Sequence, residues 1–249
     1  TFPIIWNNGP DVIHADLNKF NIRFGHVELT QTINNRSLSQ IYNAFLRKRA
    51  SRFIIIDHDT SLNHEFLNNA LSLEDGKLGI PSILVRGELL YPHVNGSYNT
   101  GPYKNKDALT AIGSGITLTQ GALDLISKRY NTPFDENFVF YGVDSTFFFR
   151  LKKLALTSIV KPLGPLEHSL SIFENESPKT WSFRKLERSY DLGLSLRYYP
   201  TSKLLTYILK VILRAPFTVS LIDPATVIKA FLLGKHYRSR SQSGMLSKR

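Results

Sequence analysis

Short apolar runs, each closed by polar turn residues and alternating with a helical period, constrain this chain more than any other feature of its sequence. Phe2 to Trp6 runs into Asn7-Asn8-Gly9-Pro10, Val27 to Ile33 into Asn34-Asn35, and Phe53 to Ile56 into Asp57-His58-Asp59. Such runs read as strands, and their polar closures as turns. Between the last two, Leu38, Ile41, Tyr42, Phe45 and Leu46 recur at helical spacing across Ser37 to Arg49, with Ser37 as a candidate cap. Strand, helix, strand alternation predicts a parallel sheet covered by helices, in which ligands bind beyond the carboxyl ends of the strands. The three polar clusters all hold that position and are expected to share one crevice.

Farther on, Ile83 to Leu90 reads as one strand, and Tyr91 to Lys106 as a Gly-, Pro- and Asn-rich loop long enough to form a mobile flap. Ile112-Gly113-Ser114-Gly115-Ile116 marks a close backbone approach, ahead of helices expected over Gln120 to Tyr130 and Val143 to Leu156. After about Ser177 basic residues interleave with aliphatics. This divides the chain into an α/β domain over 1–177 and a basic helical extension over 178–249, whose last residues, Ser239 to Arg249, read as disordered by composition.

The net charge of +11 is unevenly spread: 17 Lys/Arg face 17 Asp/Glu in residues 1–177, against 14 and 3 in residues 178–249. A segment of this kind attracts polyanions, so nucleic acid and anionic lipid are both candidates on charge alone. Lys203 to Arg214 and Val227 to Arg240 combine aliphatic faces with cations, the composition of helices lying in a membrane interface, and residues 203–240 are therefore a candidate contact with an anionic membrane surface. Core packing and self-association through the same faces are the alternatives. Nucleic acid is not expected, because aromatics here are few and not arrayed for base stacking. No apolar run reaches the length of a spanning helix. The absence of cysteine excludes disulfides and thiolate metal sites and fits a cytoplasmic protein, so any metal must rest on oxygen or imidazole.

The sharpest chemical feature is the acidic pair directly after a buried apolar run, Asp57-His58-Asp59. A strand end holds two carboxylates rigidly, which suits Mg²⁺ or Mn²⁺ sharing its remaining sites with phosphate oxygens. Aspartates also close strands merely as turn formers. On local grounds Asp144 reads as a helix N-cap with Ser145 in the first turn. His168, in Leu166-Glu167-His168-Ser169, is a further candidate ligand, since imidazole suits Mn²⁺.

In order along the chain, Asn7-Asn8-Gly9-Pro10, the segment Asn35 to Asn43, Asp57-His58-Asp59, Gly113-Ser114-Gly115 and Tyr141-Gly142-Val143-Asp144 through Arg150-Leu151 resemble the blocks of the family 2 inverting glycosyltransferases of GT-A fold. The resemblance covers roughly residues 2–170 and is nearest to bacterial rhamnosyl- and galactosyltransferases of surface polysaccharide synthesis. Asn7 stands where that family has an aspartate, and Val143 where it has a glutamate. The resemblance implies a Rossmann-like, mostly parallel GT-A sheet flanked by helices, with the family's first strand and helix preceding Phe2. It implies a nucleotide-diphosphate sugar as donor, contacted by Asn7, Asn8, Asn35, Asn43 and Asp57, and a saccharide acceptor, free or lipid-linked, on the side of Gly113, Ser114 and Gly115. Asp59, Asp57 and His168 would hold Mn²⁺ or Mg²⁺, with Asp144 as the catalytic base. A cytoplasmic enzyme, peripheral on the inner face of the membrane, is the expected setting. A metal-dependent nucleotidyltransferase and a non-catalytic membrane- or polyanion-binding module are the rival readings.

Overall fold

Alternation begins as the polar closures predict. In the computed structural model, which describes residues 2–169, 177–214 and 220–239, strand β1 (Ile4–Asn7) leads through helix α1 (Asn18–Phe24) to β2 (Glu28–Gln31), and β1 and β2 pair in parallel. Helix α2 (Leu38–Leu46) then carries the chain to β3 (Arg52–Ile54). Ser37 sits at the N-cap of α2 without capping it. Its hydroxyl and that of Ser39 bond instead to the carbonyl of Phe138, at 3.3 and 2.6 Å, fastening the helix start to a loop a hundred residues later.

After β4 (Thr60–Ser61) and α3 (His64–Leu71), β5 (Leu78–Val85) turns back on β6 (Glu88–Tyr91). The single strand expected over Ile83 to Leu90 is thus a hairpin. Its two turn residues, Arg86 and Gly87, both have positive φ, at 52° and 80°, the backbone that lets a two-residue loop match strand twist. The expected loop over Tyr91 to Lys106 is also built differently. β7 (His93–Val94) and β8 (Ser97–Tyr98) form a second hairpin across Asn95-Gly96, at φ 56° and 97°, and β7 also pairs with β9 (Leu109–Thr110).

β10 (Thr117–Thr119) leads into α4 (Gln120–Ser127), α5 (Val143–Lys153) follows, and β11 (Val160–His168) closes the sheet. The main sheet has strand order β3-β10-β5-β11-β4, with β6 on the side of β5. β5 and β11 run parallel, and β3 shares their direction, but β10, β4 and β6 run against them. A mostly parallel sheet is therefore not what forms: the sheet is mixed, because β10 returns between β3 and β5 and β6 is joined to β5 by a tight turn. Nor does the β1–β2 pair hydrogen-bond to this sheet. β11 contains Pro162 and Pro165, residues that cannot donate to a ladder, and the register shifts between them, so the strand takes its prolines at an irregularity.

Helices cover both faces of this sheet. On one, Phe66 and Ala70 of α3 pack on Ile83, Val85, Leu163 and Leu166. On the other, Leu78, Ile80, Leu118 and Phe53 meet Ile41, Leu123, Phe147 and Leu151. That second core continues into the C-terminal helices α6 (Pro178–Tyr198) and α8 (Pro224–Leu233) through Tyr190, Leu194, Tyr199 and Ala230, while α7 (Ser202–Arg214) packs through Ile208 in a separate small cluster with Ile222 and Val227. The described residues of α6 and α8 thus share a core with the sheet. The reading of 239–249 as disordered falls, from residue 240 on, outside the described residues. Among the described residues no helix is long and apolar enough to cross a membrane.

One buried polar network locks α6 to α5. Arg150 pairs with Asp135 at 3.0 Å, donates to the Tyr199 hydroxyl at 2.9 Å and to the carbonyls of Thr132 and Pro133, and Tyr199 in turn donates to Asp135 at 2.6 Å. Removing one partner from a buried ion pair strands the other, which costs about 3–5 kcal/mol. Arg150→Met is expected to lower unfolding stability by that amount in urea titrations, and Tyr199→Phe, which keeps the ion pair, by about 1 kcal/mol.

Candidate metal and acid site

β3 does not end abruptly. Ile55 N–H donates to the Ile116 carbonyl at 3.0 Å and Gly115 N–H to the Ile55 carbonyl at 2.7 Å, so the strand stays tied to the Gly113–Gly115 turn up to Asp57. Gly115 has φ +85°, and a Cβ there would overlap Pro81, which explains why only glycine serves. Between the two glycines Ser114 is fully buried. Its hydroxyl accepts from Asp57 N–H at 3.0 Å and shares a 2.6 Å bond with Thr60, whose own hydroxyl lies 2.8 Å from His168 Nδ1. His168 is the last residue of β11, paired with Thr60 across β4, and Ser169 N–H donates to the Asp59 carbonyl at 3.2 Å.

These ties bring Asp57, Asp59 and His168 together. One potential ligand atom from each lies within 4.8 Å of the others, and His168 Nδ1 stands 3.5 Å from Asp59 Oδ1. Two carboxylates and an imidazole form a donor set that could hold a metal ion. His58 is exposed, in the turn that Thr60 N–H closes on the Asp57 carbonyl at 3.2 Å, and not on an extended segment.

Asp144 occupies the first turn of α5, but the N-cap is Gly142, at φ 79°, and Asp144 does not cap the helix. Its carboxylate lies against Gly113 instead: a Cβ on Gly113 would stand 2.7 Å from Asp144 Oδ1 and 3.3 Å from the Tyr42 hydroxyl. The bare glycine thus leaves room for both groups. Asp144 retains some exposed surface while protein atoms crowd around it. This burial, with the Asp57 charge added, pushes its carboxyl up to about 7 against the pull of the Gly113 backbone N–H. Burial likewise raises Asp57, which His168 eases and Asp59 raises further. The Tyr42 hydroxyl is pushed well up by burial and then by Asp57 and Asp144, and that of Tyr91 by burial and then by Asp144.

Tyr42 and Tyr91 are therefore neighbours of the acids that sequence reading did not single out. Tyr42 was visible only as a member of the apolar stripe of α2, and Tyr91 only as the start of a loop.

The asparagines organise loops. Asn8 accepts from Thr32 and from Arg36 N–H, both at 2.8 Å, and donates to the Arg36 carbonyl, while Asn7 accepts from Gly9 N–H and donates to Gln31 and the Asp11 carbonyl. Asn35 is exposed, with φ 52°, and its carbonyl takes a hydrogen bond from Arg238. Asn43 is buried, and its amide is spent on Phe134 and Glu136 at 2.9 to 3.1 Å. The structure thus sets Asn7, Asn8 and Asn35 at the carboxyl ends of β1 and β2, and turns Asn43 and Ser114 inward. Helix α2 links this cluster to the acids, because its start adjoins Arg36 and Tyr42 reaches Gly113. The C-terminal segment adds a rim that no motif marked: buried Glu187 takes Tyr237 at 2.6 Å and lies 3.5 Å from both His236 and Arg238.

No protein-family model matches this chain, and no curated protein matches its sequence.

The raised Asp144 carboxyl has a defined consequence for stability. Unfolded, it releases its proton near 3.8, whereas folded it holds it to about 7. The folded state binds the extra proton across that interval, so stability falls as pH rises through it and levels off above. In metal-free buffer Asp144→Asn is expected to be more stable than the wild type by a few kcal/mol at about pH 8, and to lose most of that advantage at about pH 5. Urea melts at the two pH values check this.

Proposed function

We propose that the chain is a metal-dependent glycosyltransferase acting with inversion on a nucleotide-diphosphate sugar, with a saccharide or lipid-linked saccharide as acceptor. The observation that carries this reading is two kinds of acid side by side: the Asp57, Asp59 and His168 group, which could hold a cation, and the separate Asp144, within reach of the Asp57 charge and with its carboxyl raised to about 7.

The donor set fits Mn²⁺ or Mg²⁺, and its nitrogen favours Mn²⁺. A cation bound there would neutralise the charge that develops on a departing diphosphate. The chain's own residues do the rest. Asp144 accepts the proton of an acceptor hydroxyl as that oxygen bonds to the anomeric carbon, while the bond from this carbon to the diphosphate oxygen breaks and the electron pair leaves with the nucleoside diphosphate. A base whose pKa lies near the working pH suits that task, contributing on the order of 10²- to 10⁴-fold. Asn7, Asn8 and Asn35 offer the adjoining loops to the nucleoside, and Tyr42 and Tyr91 stand beside the acids.

In a screen of nucleoside diphosphates and their sugars, wild-type protein is expected to show Mn²⁺-dependent thermal stabilisation that Asp59→Ala and His168→Ala lose. Asp144→Asn is expected to keep that stabilisation while transfer falls at least about a hundredfold. Unchanged transfer by Asp144→Asn would refute the assignment of the base.

A further inference from the structure

Helix α7 satisfies the core with one face and leaves a second apolar face in water. At 100° per residue, Leu204, Ile208, Val211 and Ile212 fall on one side, packed with Leu192, Leu196, Ile222 and Val227. Leu205, Leu209 and Leu213 form an adjoining row that this packing does not use, exposed to 49%, 52% and 73%. Exposed leucines scattered singly are ordinary, but a row repeated at every fourth residue is a surface. Beside it, on the side away from the core, Lys203 and Lys210 stand exposed, and the helix contains no acidic residue. Neighbouring α8 repeats the composition with exposed Ile228 and Leu232 four residues apart and exposed Lys229 between them.

We infer that this outer face of α7 docks on an anionic lipid bilayer. Leu205, Leu209 and Leu213 enter the boundary between headgroups and acyl chains, and Lys203 and Lys210 meet the lipid phosphates. An apolar row bordered by cations is what lets a helix lie in a membrane interface, since burial of the leucines and attraction to anionic headgroups act together. A second copy of the chain fits the face less well: two such faces would bring lysines together with no acid on α7 to receive them. Nucleic acid would accept the lysines and gain nothing from the leucines. The inference goes beyond the proposed chemistry and does not depend on it, because α7 carries none of the residues of the acid crevice.

Flotation of the full chain with vesicles of phosphatidylcholine, alone or with about a third of phosphatidylglycerol, tests it. Wild-type protein is expected to float with the anionic vesicles and not with the neutral ones, and binding is expected to weaken as salt rises, since charge attraction is screened. Leu205→Ser/Leu209→Ser/Leu213→Ser and Lys203→Glu/Lys210→Glu are each expected to lose at least about tenfold in binding. The substituted side chains are exposed, and circular dichroism melts matching the wild type establish that both variants remain folded. Failure of folded wild-type protein to float with anionic vesicles overturns the inference, as does a leucine variant that floats like the wild type. A wild-type dimer in sedimentation that the leucine variant turns into a monomer gives the face to a second copy and overturns it too. Loss of donor binding in a chain that still floats would refute the proposed function and leave this inference standing.

Discussion

The candidate site depends on one buried hydroxyl. Ser114 accepts from the backbone of Asp57 and bonds to Thr60, and Thr60 bonds to His168, so a chain of hydrogen bonds runs from the end of β3, across the turn before β10, to the ends of β4 and β11. Each link is buried or half-buried, where an unmade bond costs more than a made one gains. The links are therefore mutually enforcing. The glycines on either side of Ser114 complete the arrangement for opposite reasons: Gly115 admits a backbone that would otherwise strike Pro81, and Gly113 clears space for Asp144 and Tyr42.

Within that frame the electrostatics are unbalanced. Asp57 lies within reach of both Asp59 and Asp144, and each raised carboxyl carries a contribution from a neighbouring acid as well as from burial. His168 eases Asp57, but no Lys or Arg is among the groups acting on Asp57 or Asp144. Burying acids together without a cation is costly, and structures that do so usually hold a proton, a metal ion or a substrate in compensation. The arrangement separates two roles. The carboxylates nearest the imidazole could hold a cation, and the one across Gly113 keeps its proton up to about 7.

Local chemistry made part of this legible. The acidic pair after Phe53 to Ile56, the glycines at 113 and 115 and the α2 stripe could be read because each follows from a short-range rule: strand alternation, glycine conformation, helical period. The two hairpins were equally local, and Asn95-Gly96 between β-prone residues is a strong turn signal. It was obscured by the Gly, Pro and Asn content around it. β11 could not be read in this way. Its prolines argue against an interior strand, and only the shift of register between Pro162 and Pro165 reconciles them with one. The fates of Asn43 and Ser114 were hidden for a different reason. A polar side chain near a motif can face a ligand or satisfy a loop, and the partners that decide, Phe134 and Glu136 in one case and Thr60 in the other, follow from packing.

The basic C-terminal third shows most clearly why composition underdetermines structure. Aliphatic residues interleaved with cations suit a core helix, an interfacial helix or a self-associating one, and here one helix, α7, packs with one face and leaves a second apolar face exposed. Tyr190, Leu194 and Ala230 complete the main core, and Ile208, Ile222 and Val227 a smaller one. Once those obligations are met, the leucines at 205, 209 and 213 remain outside, beside lysines without acids on their own helix. Nine of the 14 cations in residues 178–249 lie on α6, α7 and α8. Of these helices α6 is tied at its C-terminal end, through Tyr199, to Asp135 and to Arg150 of the same α5 that carries Asp144.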